Sequence, residues 1–106
     1  MDFFAIKEAV LILRRKMMDL GYHFDGAILF GSYAKGTAHA ESDIDLGILS
    51  RDFGKNRIAE GTMLNSLLYY ILPQAEAVPI SIYDYIDPMN ISPLLHEIKK
   101  TGKIIV

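Results

Sequence analysis

The 106-residue chain contains no cysteine. Disulfides, thiolate metal sites and thiol catalysis are therefore excluded, and the absence fits a cytoplasmic protein. Long apolar runs are missing too. The longest stretch without a charged residue, Gly61 to Ala75, carries Asn65, Ser66 and Gln74, and is too short and too polar to cross a bilayer. No basic segment leading into an apolar core follows Met1-Asp2, so no signal peptide is expected. Neither sign of charge dominates. The formal net charge is −2, which gives no whole-molecule attraction to a long nucleic acid. Repeats, low-complexity segments and linkers are absent as well. What remains is an ordinary globular composition, 51% hydrophobic and 23% charged, enough for one core and too little for two. A single domain over 1–106 is expected.

Ile6, Val10, Leu13 and Met17 recur at helical spacing, with Leu20 extending the stripe, and predict a helix over 3–20. Phe4, Leu11 and Met18 form a second stripe beside it. A buried helix is expected, with a dimer-forming surface as the alternative. Gly21 stops it as a C-terminal cap would. Ala27 to Phe30 reads as a short buried strand, and Ser32 to Ala38 as one or two helical turns limited by Gly36. Asp43 to Ser50 is a second strand, with Asp43, Asp45 and Gly47 on one face and Ile44, Leu46 and Ile48 on the other.

A helix from Arg57 to Leu72 carries Leu64, Leu67, Leu68 and Ile71 inward and ends at Pro73. Tyr69 and Tyr70 lie across from that face, either partly covered by neighbouring loops or open to a partner. Ala77 to Tyr85 reads as a third strand. Ser92 and Pro93 cap a last helix, which finishes at Lys99-Lys100-Thr101-Gly102. Lys103 to Val106 is a short extended tail. The order αβ(α)βαβα predicts an α/β (α+β) fold: a three-stranded mixed sheet with an antiparallel first pair, flanked by about four helices.

Gly31-Ser32 follows the first strand and Asp43 opens the second. Antiparallel pairing brings the glycine-serine turn and the aspartates to the same end of the sheet. Asp43 and Asp45 then share a face roughly 7 Å apart, close enough to hold one or two hard cations. A turn that exposes backbone N–H groups and a hydroxyl suits phosphate. Carboxylates, a divalent metal and a phosphate cradle together point to nucleoside triphosphate chemistry. Lys35 neutralises a phosphate or is a solvated loop lysine. Tyr33 packs beneath the turn or lines the pocket. His23, His39 and His96 show no metal-ligand spacing, and Ser32 has no Asp–His partnership of the kind a nucleophile needs.

At these residues the chain resembles the minimal nucleotidyltransferases of the DNA polymerase β-like superfamily, whose signature is Gly-Ser, a spacer, then Asp-x-Asp. Here ten residues separate Ser32 from Asp43. Ala34, Gly36, Ser42 and Ile44 also match, and Lys35 stands where an arginine is common. The resemblance implies that Asp43 and Asp45 bind Mg²⁺, while Gly31 and Ser32 hold the β- and γ-phosphates of ATP or another NTP. A nucleoside monophosphate would pass to a hydroxyl acceptor, releasing pyrophosphate. It further implies a helical HEPN-type partner in a toxin–antitoxin pair, with this chain as the antitoxin, and leaves homo-oligomers open.

The family's third carboxylate belongs on the next strand, facing Asp43 and Asp45. Aligning Val78-Pro79-Ile80 with that strand puts Pro79 there, and a shift of two puts Ser81; neither is an anionic ligand. Asp84 is the nearest carboxylate downstream, reaching the site only through a bulge. Pro79 also suggests an edge position. Two readings stay open: an enzyme transferring a nucleotide, and a catalytically impaired module that neutralises a partner by binding it.

Overall fold

The structure is a computed structural model that describes residues 2–39 and 42–106; residues 40 and 41, inside the expected spacer, lie outside the described residues. The elements run α1 (Phe3–Asp19), β1 (Gly26–Phe30), α2 (Gly31–Lys35), β2 (Ile44–Ser50), α3 (Arg57–Tyr69), β3 (Ala75–Ser81), α4 (Ile82–Ile86), α5 (Pro93–Thr101) and β4 (Lys103–Ile104). The strands form one mixed sheet in the order β3-β2-β1-β4, with β1 antiparallel to β2 and β4, and β2 parallel to β3.

The α/β class and the antiparallel first pair are as expected, but the sheet has four strands, not three. The apparent tail forms the fourth. Ile104 and Lys103 register with Ile28 and Leu29, and the Ile105 N–H donates to the Ala27 carbonyl at 2.8 Å. The free edge of β1 is thereby hydrogen-bonded.

The third strand differs as well. It ends at Ser81, whose partner Ser50 is the last residue of β2. Beyond Ser50 no ladder partner continues, so the alternation through Tyr85 cannot be used as strand. The chain turns into α4 instead, and Ile82 and Tyr85, three residues apart, pack onto the sheet as helical neighbours do.

Helices α1 and α3 cover one face of the sheet. Ile6, Val10, Leu13, Met17, Leu64 and Leu68 meet Leu29, Ile44, Leu46 and Ile48 there. Leu95 and Ile98 of α5 cover Ile28, Phe30, Leu49 and Ile80 on the other. Gly47 permits this second layer, because a Cβ there would stand 2.8 Å from Ile80 Cδ1. Ile6, Val10, Leu13 and Met17 of the predicted stripe are buried, but Leu20, expected to extend it, is exposed, as are Phe4 and Met18 of the second stripe. The side of α1 carrying them turns away from the sheet. Tyr69 and Tyr70 are both exposed and stack edge to face, 5.1 Å between centroids, so neighbouring loops do not cover them.

Two polar side chains fix the architecture around the sheet. Glu60 accepts backbone N–H bonds from Gly54, Lys55 and Asn56 at 3.0–3.2 Å, while Asn56 caps Ala59 in return. The result is a reciprocal cap that ties the β2–α3 connection to the helix. Asn65 bonds both the N–H (2.8 Å) and the carbonyl (3.0 Å) of Ala77. It thus acts as a one-residue strand along the outer edge of β3. Ala75 donates to Leu72, and Pro79, next in the outward series, has no N–H to offer. As expected from Pro79, β3 is an edge strand; from Ala75 to Pro79 that edge has no free outward donor for another strand.

Candidate functional site

Phe30, the last residue of β1, lies opposite Asp45. Gly31 turns the chain from strand into α2 with φ +71°, and a Cβ at Gly31 would collide with Asp45 Oδ2. A side chain here is thus refused twice, by backbone conformation and by the carboxylate lying over the turn. Buried Ala34 anchors α2, Tyr33 packs against the core on the α1 side, and Gly36 ends the element at φ 75°. The Ser32 carbonyl accepts from Thr37 N–H at 3.0 Å. Its hydroxyl has no hydrogen-bond partner among the described residues. The turn and the aspartates therefore meet at one end of the sheet.

The parallel register supplies a residue that the sequence reading missed. Asp45 pairs with Glu76 and Gly47 with Val78, so Glu76, Val78 and Ile80 share the Asp45 face. Pro79 pairs with Ile48 and lies on the opposite face, so neither Pro79 nor Ser81 occupies the third-carboxylate position. Glu76 does. Because β2 and β3 run parallel, their N-terminal ends coincide, and a group facing Asp45 must lie at the beginning of β3. Starting the strand at Ala77 excluded it; two steps back from Val78 on the same face would have found it. Asp84 lies beyond the other end of β3. Five strand positions, or roughly 17 Å, separate that end from Asp45, and no bulge brings Asp84 back.

The Asp45 side chain is partly buried, and its carboxylate accepts no hydrogen bond among the described residues. Its pKa is raised, first by burial and then by the like charges of Glu76, Asp43 and Glu97. A carboxylate desolvated among three others is a poor anion on its own and a good ligand for a hard cation. Oxygen donors of this kind suit Mg²⁺, which is commonly held by one or two carboxylates together with substrate phosphates. Among the described residues no three His, Asp or Glu side chains form a ready-made metal cage. Lys35, the other expected phosphate ligand, reaches across to α5, where its ammonium pairs with Glu97 at 2.8 Å. His23 bonds Asp52 at 3.0 Å, and the His39 N–H donates to Ser42 Oγ at 2.9 Å across the spacer.

A cleft of about 550 Å³ lined by Arg14, His23, Asp25 and Arg51 lies elsewhere. It borders Gly26, at the end of β1 remote from Asp45 and roughly 14 Å away. Arg51 is already engaged there by Asp25, at 2.8 Å. The carboxylate edge, not this cleft, brings the Gly31-Ser32 turn against Asp45 with Glu76 in register.

Residues 21–106 match the family described as Polymerase beta, Nucleotidyltransferase. Over 70 residues, 66% of this chain, the sequence is 39% identical to "Putative protein adenylyltransferase MJ1305" of Methanocaldococcus jannaschii; the match spans 40% of that protein. A toxin–antitoxin solved with AMP-PNP superposes with a TM-score of 0.65 at 24% identity, covering 94% of this chain and 72% of that one. A mutant of the toxin–antitoxin MntA-HpeT gives a TM-score of 0.63 at 22% identity with the same coverage. At these identities the likeness to the solved structures is one of fold. Among the described residues no helix is long and apolar enough to cross a membrane.

Proposed function

The chain belongs to the polymerase beta nucleotidyltransferase family, and from that premise we propose that it binds an NTP, ATP by preference, with Mg²⁺ and transfers NMP to a hydroxyl acceptor. One observation carries this reading: the Gly31 backbone lies directly against the Asp45 carboxylate, with Glu76 in register beside it. Phosphate cradle and cation ligands are thus adjacent.

In this assignment Asp43 and Asp45 would hold the cation together with substrate phosphates, with Glu76 in register beside Asp45. Mg²⁺, when bound, supplies charge neutralisation for the acceptor oxygen and the leaving group. The bare Gly31 backbone lets phosphate oxygens approach the turn, and the Ser32 hydroxyl donates to them. The acceptor oxygen forms a bond to the α-phosphorus as the bond to the β-phosphate oxygen breaks. Pyrophosphate leaves, and the acceptor proton passes to solvent or to a carboxylate of the set. Glu76, in register with Asp45, supports the enzyme over the impaired binding module, a reading that rested on Pro79 and Ser81 at the third position.

The acceptor we propose is a hydroxyl on a protein partner, a HEPN-type helical toxin, with this chain as the antitoxin. Support comes from the protein adenylyltransferase name of the archaeal relative and the toxin–antitoxin identity of the structural neighbours. The exposed Tyr69–Tyr70 pair is an aromatic surface of the kind enriched at interfaces. The test is co-expression with the product of the adjacent gene, followed by intact-mass measurement. A gain of one NMP on the partner, lost in Asp45→Ala and in Glu76→Ala, is the expected result. An unmodified partner together with no ATP binding refutes the proposal.

A further inference from the structure

The Lys35–Glu97 pair joins the turn that would hold phosphate to the helix on the same side of the sheet. The two groups meet at 2.8 Å with 45% and 46% of their side chains exposed. Glu97 also bears on Asp45, being one of the charges that raise its pKa. The only lysine of α2 is thus paired with a carboxylate of α5. Gly31 and Lys35 begin and end α2, about 6 Å apart along its axis, a distance that the four-carbon lysine stem spans. Lys35 is thus within reach of the far end of a phosphate chain that starts at Gly31-Ser32, yet it is committed to a carboxylate.

We propose that Glu97 is a positioning residue. It holds the Lys35 ammonium and gives it up to the terminal phosphates when a triphosphate binds. The inference rests on the assignment of Gly31-Ser32 as the phosphate turn. A half-exposed ion pair is weak enough to be displaced, and a triphosphate offers the ammonium a denser array of acceptors. The Glu97 carboxylate has no comparable replacement, so its contact with Lys35 opposes nucleotide binding. A nucleoside monophosphate leaves the terminal-phosphate positions empty and does not drive the exchange. The pair therefore selects for phosphate-chain length.

The test is calorimetric titration of AMP-PNP and of AMP, each with excess Mg²⁺, into the full chain. The variants are Glu97→Gln, Lys35→Met, Lys35→Arg and the Lys35→Met/Glu97→Gln double variant, with thermal melts confirming that each folds. Glu97→Gln is expected to tighten AMP-PNP about two- to five-fold, the worth of an exposed pair, and to leave AMP unchanged. Lys35→Met weakens AMP-PNP about ten-fold, and Lys35→Arg retains most of the affinity. In the Lys35→Met background Glu97→Gln gives no further gain, because the contact it removes is already gone. Equal tightening in both backgrounds signals simple charge repulsion and overturns the exchange, as does a Glu97→Gln variant that binds AMP-PNP no better than the parent. A parent that binds no AMP-PNP overturns the phosphate turn itself, and the exchange with it.

Discussion

Replacing Asp45 by asparagine should make the metal-free protein more stable while abolishing its function. The carboxylate is partly buried, lacks any hydrogen-bond donor among the described residues and faces Glu76 in register. Asparagine keeps the shape and removes the charge. For a partly solvated carboxylate beside a like charge on the adjacent strand, the relief is about 1 kcal/mol. In a domain of this size that is a rise in Tm of about 4–8 °C. The pH dependence fixes the sign. The folded-state pKa of Asp45 is raised, so its stabilising protonated form is complete below the ordinary aspartate value and is lost as pH rises through the raised one. In EDTA the parent should therefore lose stability across that interval and Asp45→Asn should not. Mg²⁺ at ten times its dissociation constant should return about 1.4 kcal/mol to the parent and nothing to the variant. Differential scanning fluorimetry with EDTA and with Mg²⁺, from pH 4 to 8, reads all of this. An Asp45→Asn protein that melts below the parent in EDTA, or that gains equally from Mg²⁺, refutes the reasoning.

Other substitutions probe the scaffold. Gly31→Ala introduces a Cβ into the Asp45 carboxylate at a positive φ, and is expected to cost about 1–3 kcal/mol in urea unfolding and to remove nucleotide binding. Glu60→Ala deserts three backbone donors of the β2–α3 connection, a loss of about 1–3 kcal/mol. Burial pushes the Glu60 pKa up, but the three N–H donors prevail and hold it below the ordinary value. Its stabilisation is accordingly present at neutral pH and disappears as pH falls through that lowered value; the parent's acid unfolding should show this component and Glu60→Ala should not. Asn65→Leu leaves the Ala77 N–H and carbonyl unpaired at the sheet edge, for about 1–3 kcal/mol. Its concentration-dependent association, read by light scattering, should exceed the parent's.

The elements with strong periodicity were legible in the sequence. The inner stripe of α1, the β1–β2 pair and the meeting of Gly31 with Asp45 follow from spacing and from where polar residues interrupt apolar ones. Parallel pairing was harder to use. The register of β3 depends on how the α3 crossover delivers the chain, and local alternation around Pro79 does not reveal which residue stands opposite Asp45. Glu76 was missed for that reason. The switch into α4 was equally hidden, because Ile82 to Tyr85 alternates like a strand and turns only where β2 has no further partner to offer. Lys103-Ile104 is too short to read as a strand and gains that role from the vacant edge of β1. Long-range ion pairs such as Lys35–Glu97, 62 residues apart, leave no local signature.

The nature of the transferred group tests the account most directly. The purified chain and its partner are incubated with Mg²⁺ and ATP labelled at either the α- or the γ-phosphate. The expected result is that the α-label becomes acid-stable on the acceptor, that the γ-label leaves in pyrophosphate, and that Asp45→Ala and Glu76→Ala both stop the transfer. Incorporation of the γ-label, or α-label transfer that survives both substitutions, would contradict it.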